Sequence, residues 1–232
     1  MILTDLHIHS CLSPCGSDEM TPFDLVGLAK VCGLDLIALT DHNSAKNCMA
    51  AAYAAEEYGI GFIPGIEVNT SEDIHCVCLF PDLERATEFD RMLEGRIPYI
   101  ENKPQVFGNQ IVVMPDGSTR EEKNLLLTGC DISIIELPEI VEEYGGLCWP
   151  AHVDRDSNGL FAMLGFWPEE LKVDAAEIRF EKPEQVPGGL KIIQASDAHN
   201  LETLMGGGYP LPLESADFDG LYKYIKGGER NR

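Results

Sequence analysis

The chain has 232 residues, of which 44% are hydrophobic, so it is long enough to bury a full core as a single domain over 1–232. Its formal charge is −22, from 39 acidic and 17 basic residues, and such a surface would repel long duplex nucleic acid, which needs a basic face. The sequence contains no run of about 18 apolar residues and no secretory leader, so we expect a cytoplasmic protein without a membrane partner.

Eight cysteines are spread along the chain, and most lie in apolar segments such as "HCVCLF" and "GLCWPAH". No paired CxxC motif is present, which argues against a structural zinc ribbon. Because cytosolic thiols stay reduced, we predict free buried cysteines rather than a disulfide framework. We interpret Cys11 and Cys15 as packing residues.

The first third of the chain alternates strands with helices. In "TPFDLVGLAKVCG", Thr21 is the expected N-cap, Pro22 fits the first helical position and Gly33 stops the helix. An Ala-rich helix in "NCMAAAYAAEEYG" ends at Gly59. In chain order, these two helices are flanked by strands predicted at 2–6, 35–40, 61–68 and 74–80.

Residues 81–146 are too long for one crossover connection, and we interpret them as an insertion between strands. A hairpin is expected in "QIVVMPDGST", because Asp116 and Gly117 suit its turn. The other elements predicted in the insertion are a helix near 83–95, a loop containing "NKPQ", and helices near 119–127 and 137–144.

After the insertion, we predict strands at 145–152, 173–180 and 190–199 and a last helix at 217–226. About seven strands, several separated by helices, favour an α/β fold with a largely parallel sheet. We predict a small, irregular barrel of the TIM type with an α+β insertion. An open doubly wound sheet is the alternative.

The six histidines all lie beside predicted strands, and none falls on a helix or in the insertion. His7 and His9 follow the first strand, and their spacing of two directs both side chains to one face. Of the others, His75 is near the start of its strand, whereas three lie at strand ends: His42, His152 and His199. Ligands of parallel α/β folds bind at the carboxyl ends of strands, so we expect these imidazoles to meet there.

Carboxylates accompany the histidines. Glu67 ends a strand, Asp197 lies two residues before His199, and Asp18 lies in the loop after the first strand. Imidazole with carboxylate suits manganese, iron or zinc better than calcium or magnesium. The candidate ligands suffice for two or three ions: His7, His9, Asp18, His42, Glu67, His75, His152, Asp197 and His199. We interpret Asp5 and Asp41 as residues that orient ligands.

The motifs "DLHIHS", "TDHN", "GIEV", "IHCV", "PAHVDR" and "SDAH" occur in the order typical of the PHP (polymerase and histidinol phosphatase) family. The sequence resembles that family over nearly the whole chain outside the insertion. The resemblance implies a distorted seven-stranded (β/α) barrel that hydrolyses phosphoesters with two or three divalent ions. The most similar branch includes nucleoside 3′,5′-bisphosphate phosphatases and 5′-3′ exonucleases that trim short oligonucleotides.

The resemblance also implies how the ligands divide among the ions, with Glu67 bridging two of them. The implied sets are His7, His9, Glu67 and Asp197 for a first ion, Glu67, His75 and His152 for a second, and Asp18, His42 and His199 for a third. The loop "SCLSPCGSD" is longer than the usual "SDG" form, so the position of Asp18 decides between two ions and three.

The expected nucleophile is a metal-bound hydroxide, since no GxSxG or P-loop motif is present. Arg155 and Arg179 lie beside strand ends and are predicted to hold phosphate, with surface salt bridges as the alternative. Asp154 and Glu177 are candidates for orienting ligands or water. The predicted substrate is a small phosphorylated molecule, a nucleotide or a short oligonucleotide.

Four other functions stay open at this point. The metal centre could belong to a histidinol-phosphate phosphomonoesterase or to an amidohydrolase that cleaves C–N bonds. It could also belong to a non-catalytic regulatory module. Finally, residues 81–146 could bind a protein partner, or could act as a lid that excludes long polymers.

Overall fold

The structure, a computed structural model, describes residues 1–228. Its elements, in chain order, are β1 (Ile2–Ile8), α1 (Pro22–Val31), β2 (Leu36–Leu39), α2 (Cys48–Tyr58), β3 (Gly61–Asn69), β4 (His75–Leu79), α3 (Leu83–Glu94), α4 (Pro104–Phe107), β5 (Ile111–Val113), β6 (Thr119–Glu121), α5 (Leu137–Glu143), β7 (Leu147–Pro150), α6 (Leu160–Leu164), β8 (Ala175–Ile178), β9 (Lys191–Gln194), α7 (Leu201–Met205), β10 (Tyr209–Leu211) and α8 (Phe218–Lys226).

The helix signals of the sequence act as expected. The hydroxyl of Thr21 accepts a hydrogen bond from the amide of Asp24 at the start of α1, and Gly59 ends α2 with φ +63°. Asp217 caps α8 by accepting from the amide of Gly220. Four short elements, α4, α6, α7 and β10, were not predicted, because three to five residues carry too little periodic pattern.

The main sheet has six strands in the order β10-β1-β2-β3-β4-β7. The pairs β1–β2 and β2–β3 are parallel, whereas β4 is antiparallel to both of its neighbours and β10 is antiparallel to β1. The expectation of a largely parallel sheet is therefore wrong. The architecture is a mixed α/β fold with a curled, half-barrel sheet, and a closed barrel of seven strands is not confirmed.

Strands β8 and β9 form a separate parallel pair. Single hydrogen bonds join this pair to the residues that follow strands of the main sheet. The amide of His9 donates to the carbonyl of Ala198 at 2.9 Å, and the amide of Val153 donates to the carbonyl of Glu177 at 2.9 Å. The residues that follow β1, β7, β8 and β9 therefore lie close together.

The direction of β4 explains the unusual position of His75 at the start of a strand. Because β4 is antiparallel to β3, its first residue pairs with the last residue of β3, Asn69. Strand β7 reverses again and ends beside the start of β4, where Pro150 pairs with Cys76. His75 therefore reaches the same edge of the sheet as the histidines that follow strand ends.

The sheet packs apolar side chains on both faces. On one face, Leu6, Val77 and Trp149 contact each other and the buried side of α8. On the other face, helices α1, α2 and α3 cover residues such as Ile66. Each fully buried side chain of this size contributes roughly 1.5–3 kcal/mol to folding. No helix within residues 1–228 combines the length and the apolar character that a membrane span requires.

The segment 81–146 packs directly onto the loop after β1 and onto α2. Strands β5 and β6 form the predicted hairpin, with Gly117 in its turn at φ +80°. The amide of Ile111 donates to the carbonyl of Cys11, and the side chain of Asn47 bonds both Ile111 and Val113. The interpretation of this segment as an insertion stays a prediction.

The predicted helix near 119–127 is wrong. Residues 119–121 form β6, and the chain then continues in an irregular, non-helical form that is held by the side-chain amide group of Gln110. Its nitrogen donates to the carbonyls of Glu122 and Asn124, and its oxygen accepts from the amide of Leu126. The sequence "TREEKN" offers no apolar face that a helix could bury.

Gly108 lies against the chain at Pro14. It has φ +99°, and a methyl group added there would overlap the carbonyl oxygen of Pro14. We expect Gly108→Ala to lower the free energy of unfolding by roughly 3 kcal/mol, through backbone strain and overpacking. Gly117→Ala is the control, since its φ is also positive but its surroundings are open. It should cost only about 1 kcal/mol. Urea denaturation measures both losses, and equal losses would contradict the close packing at Pro14.

Candidate metal centre

The carboxylate of Glu67, near the end of β3, lies among five of the six histidines. Each of these five histidines places a ring nitrogen within hydrogen-bonding distance of the carboxylate. Glu67, His7 and His9 have no exposed surface. The distances from Oε1 are 3.2 Å to His7 Nε2, 3.0 Å to His75 Nδ1 and 3.1 Å to His152 Nε2, and those from Oε2 are 3.3 Å to His9 Nε2 and 2.9 Å to His42 Nδ1.

Asp197 adds a second buried carboxylate to the cluster. Its Oδ1 lies 3.3 Å from His9 Nε2, 3.6 Å from His7 Nε2 and 3.5 Å from His199 Nδ1. Asp197 and His152 both have positive φ, at +50° and +28°. Positive φ in residues other than glycine is costly and is found most often at functional sites.

Three overlapping groups have ligand atoms close enough to share an ion, within 4.8 Å of one another. They are His9, His42 and His199; His7, His9 and Asp197; and His42, Glu67 and His75. Eight of the nine predicted ligands therefore lie in one cluster, since His152 also faces Glu67.

The polar atoms of the cluster fit a divalent cation. Within residues 1–228, Glu67 Oε2, His42 Nδ1, His75 Nδ1 and Asp197 Oδ1 are buried and form no hydrogen bond of acceptable angle, although each lies 2.9–3.3 Å from another polar atom of the cluster. Buried polar atoms are otherwise nearly always paired. Imidazole and carboxylate together are the ligands that zinc, manganese and iron prefer. The chemistry of the side chains and their missing hydrogen bonds thus both indicate a metal centre.

Other side chains hold the histidines in orientation. Nδ1 of His7 lies 3.0 Å from Glu177 Oε1, and Nδ1 of His9 lies 2.9 Å from the hydroxyl of Ser13. That hydroxyl donates in turn to Asp41 at 2.7 Å. The Nε2 atoms of His7 and His9 are left 3.1 Å apart, facing each other. Such outer contacts fix the ring and its tautomer in metal sites.

Asp5 and Asp154 act on the backbone beside the cluster. Asp5 accepts a hydrogen bond from the amide of Ser196, the residue before Asp197. Asp154 accepts from the amides of three residues after β8, at 2.8 Å from Arg179, 2.6 Å from Phe180 and 3.2 Å from Glu181. Neither carboxylate belongs to the three groups of close ligand atoms.

The histidines of the cluster divide into two groups by protonation state near neutral pH. Burial opposes the ionisation of Glu67, but the facing imidazoles of His75 and His7 hold the pKa of its carboxyl well below the usual range. Burial lowers the pKa of His75 to about 4 and that of His199 to about 3. Against the effect of burial, the nearby carboxylates raise the pKa of His9 and of His42 to about 9 and hold that of His7 well above its usual value. Because imidazole binds a metal in its neutral form, a bound cation would displace the protons of these three rings.

Asp18 is not brought into the cluster. Its carboxylate is exposed and accepts a hydrogen bond from the side-chain amide of Asn109 at 2.7 Å. The position predicted for it beside His42 is occupied by Cys15, whose Sγ lies 3.2 Å from His42 Nε2. The interpretation of Cys15 as a packing residue is wrong, since it is exposed, whereas Cys11 is buried as expected.

Arg155 and Arg179 both contact Asp197 on the side away from the histidines. Their Nη1 atoms donate to Asp197 Oδ2 at 2.6 Å and 3.1 Å, and about a third of each side chain is exposed, 34% and 33%. Arg155 also lines a cavity of about 370 Å³ above the cluster, together with Cys15 and Leu127 of the segment 81–146. The arginines therefore lie where the metal cluster meets solvent.

The sequence of this chain matches a known family, the PHP domain family. Its sequence profile covers residues 5–143, more than half of the chain. The chain therefore belongs to the PHP domain family. The matched region ends before His152, Asp197 and His199, which the fold nevertheless brings to the same cluster.

Two curated relatives match about a third of the chain. The 5′-3′ exoribonuclease of Haemophilus influenzae is 37% identical over 78 residues, which cover 32% of this chain and 27% of that protein. The 3′,5′-nucleoside bisphosphate phosphatase of Chromobacterium violaceum is 38% identical over 73 residues, 32% of this chain and 25% of that protein. The chain thus matches about a quarter of the length of each.

A solved structure supports the fold over nearly the whole chain. The lesion-specific endonuclease of Pyrococcus furiosus superposes with a TM-score of 0.71 at 19% identity. The superposition covers 97% of this chain and 56% of that one. At this identity, the likeness concerns the fold alone.

The central place of Glu67 gives the second prediction. Mn²⁺ or Zn²⁺ at about 100 times its dissociation constant should raise the free energy of unfolding of the wild type by about 2.7 kcal/mol. Glu67→Gln removes the charge that faces five imidazoles, so we expect little or no stabilisation by either ion. Glu121→Gln, at an exposed position of β6, is the control and should respond like the wild type. Thermal melts with and without metal measure the effect, and equal stabilisation of all three proteins would exclude this centre.

Proposed function

We propose that this PHP-family chain is a metal-dependent phosphoesterase that hydrolyses nucleotides, nucleoside 3′,5′-bisphosphates or short oligonucleotides. The observation that carries the proposal is the ring of five imidazoles around Glu67 at the base of an open cavity. We expect two or three divalent ions there, of manganese, iron or zinc. Such ions, when bound, lower the pKa of a coordinated water towards about 7 and neutralise phosphate oxygens.

The protein would contribute fixed ligand geometry to this chemistry. His7 and His9 are locked by Glu177 and Ser13, so their free nitrogens converge without rearrangement. Glu67 presents both oxygens to the ring, so its carboxylate would hold two ions if both were bound. A preorganised site of this kind loses little energy to reorganisation when charge develops on the reacting phosphate.

An anionic substrate needs local positive charge to bind, since the whole chain carries a formal charge of −22. Arg155 and Arg179 supply positive charge at the solvent side of the cluster. Each uses one nitrogen on Asp197 Oδ2, and a guanidinium has five N–H donors, so several are left for a phosphate. This supports a phosphate position next to Asp197.

The cavity favours small substrates over polymers. Leu127 and Asn158 lie on its wall beside the metal ligands, and a volume of about 370 Å³ suits one or two nucleotides. The similar proteins named above include one that acts on a nucleoside bisphosphate and one that degrades RNA from its 5′ end. Both names agree with a substrate that presents a terminal phosphate.

A substrate panel tests the reaction class. We expect the Mn²⁺-loaded protein to cleave p-nitrophenyl phosphate, 3′-phosphoadenosine 5′-phosphate or short single strands. The double variant His7→Ala, His9→Ala should lose more than about 100-fold of kcat/KM, because two ligands are missing. Bis-(p-nitrophenyl) phosphate, histidinol phosphate and a set of amides complete the panel. Cleavage of the amides alone, or of nothing while ions are bound, would rule out the phosphoesterase.

The arginines give a separate prediction. Loss of a charge-assisted hydrogen bond costs about 1.5–3 kcal/mol, so Arg155→Ala and Arg179→Ala should each raise KM for the cleaved phosphoester about 10- to 100-fold. We expect smaller changes in kcat. Arg85→Ala is the control, because Arg85 pairs with Glu88 on the exposed surface of α3. If metal content and KM both stay at wild-type values in the double variant Arg155→Ala, Arg179→Ala, the arginines do not hold phosphate.

A further inference from the structure

We infer that the thiolate of Cys15 is a metal ligand, which binds one divalent ion together with His42 and His199 at the open side of the cluster. This inference rests on the metal centre of the proposed function and adds a sulfur ligand to it. The implied ion is a thiophilic one, zinc or ferrous iron, because soft thiolate ligands select against manganese and magnesium.

The spacing of Cys15 and His42 fits two ligands of one ion. Cys15 Sγ lies 3.2 Å from His42 Nε2. With a metal–sulfur distance of about 2.3 Å and a metal–nitrogen distance of about 2.0 Å, two such ligands lie roughly 3.1–3.5 Å apart at ordinary coordination angles. His42 is itself buried, with 4% of its surface exposed.

His199 presents the complementary nitrogen. Its Nδ1 lies 2.8 Å from the carbonyl oxygen of Asp197, so this nitrogen carries the proton and donates it to the carbonyl. The tautomer leaves Nε2 with a free lone pair, which is the form that binds a metal. The ligand nitrogens of His9, His42 and His199 lie within 4.8 Å of one another. Cys15 does not itself belong to this group of close ligand atoms, and its observed contact with the group is the one to His42 Nε2 at 3.2 Å.

The loop after β1 holds Cys15 in place by close backbone contacts. The amide of Gly16 donates to the carbonyl of Ser13 at 2.8 Å, and the amide of Ser17 donates to the carbonyl of His199 at 2.8 Å. A Cβ on Gly16 would lie 2.6 Å from the carbonyl oxygen of Ser10, so only glycine fits there. The loop thus fixes the position of the residue that faces His42.

Asp18 is the competing ligand in the same loop, but its geometry does not suit the role. Its carboxylate is exposed and is bonded to Asn109 rather than to any histidine. Cys15 is the residue of this loop that lines the cavity with His42 and His199. Sulfur, rather than a carboxylate oxygen, is therefore the ligand that the geometry offers.

Cobalt substitution tests the inference by a spectroscopic signature. We expect Co²⁺ to produce a near-ultraviolet thiolate-to-cobalt charge-transfer band in the wild type and in Cys32→Ser, whose half-buried thiol lies at the end of α1. The band should vanish in Cys15→Ser, and the affinity for one ion should fall about 10- to 100-fold. Asp18→Asn should behave like the wild type. A band of unchanged strength in Cys15→Ser would overturn the inference.

Mass spectrometry separates the failure of this inference from the failure of the proposed function. Zinc content should fall by one ion per chain in Cys15→Ser, while the remaining ions stay bound. Zinc should also protect Cys15, but not Cys32, from alkylation by iodoacetamide. Identical zinc content and equal alkylation with and without metal would overturn the thiolate ligand alone. A wild type that binds no metal would overturn both the ligand and the phosphoesterase.

Discussion

The rest of the structure depends on a buried negative charge, the carboxylate of Glu67. Removing an ion from water costs several kcal/mol even after the protein relaxes, so such a group persists only with compensating partners. Five imidazoles supply that compensation, and they come from separate parts of the chain. A cation bound between them would complete the balance, since the contacts to Glu67 Oε2 do not have the angles of hydrogen bonds within residues 1–228.

The need to bring imidazoles to Glu67 explains the strand directions of the sheet, which differ from those of a regular parallel barrel. A purely parallel arrangement would place the first residue of β4 at the opposite edge, away from Glu67. The antiparallel pairing of β4 with β3 instead sets His75 beside Asn69, and the second reversal returns the end of β7 to the same edge. The contacts of β8 and β9 with the main sheet are likewise made at the edge where Glu177 and Ala198 meet the cluster.

Much of the site could be predicted from the sequence, because histidines beside strand ends must converge at one edge of a sheet. What could not be predicted depends on contacts between distant residues. The position of Cys15 follows from the close approach of Gly16 to Ser10 and of Gly108 to Pro14. The irregular chain after β6 is held by the single side-chain amide of Gln110. Neither contact leaves a periodic pattern that a sequence could reveal.

Asp197 connects the two chemical tasks of the site. Its Oδ1 faces His7, His9 and His199, whereas Oδ2 accepts from the arginines. The carboxylate therefore shares its charge between a buried cluster that suits cations and a solvent-exposed pair of guanidinium groups. A phosphate at the arginines would lie next to the metal ligands, with no basic surface needed elsewhere. Under the proposed function, a chain with a formal charge of −22 would in this way bind a small anion although its net charge disfavours long polyanions.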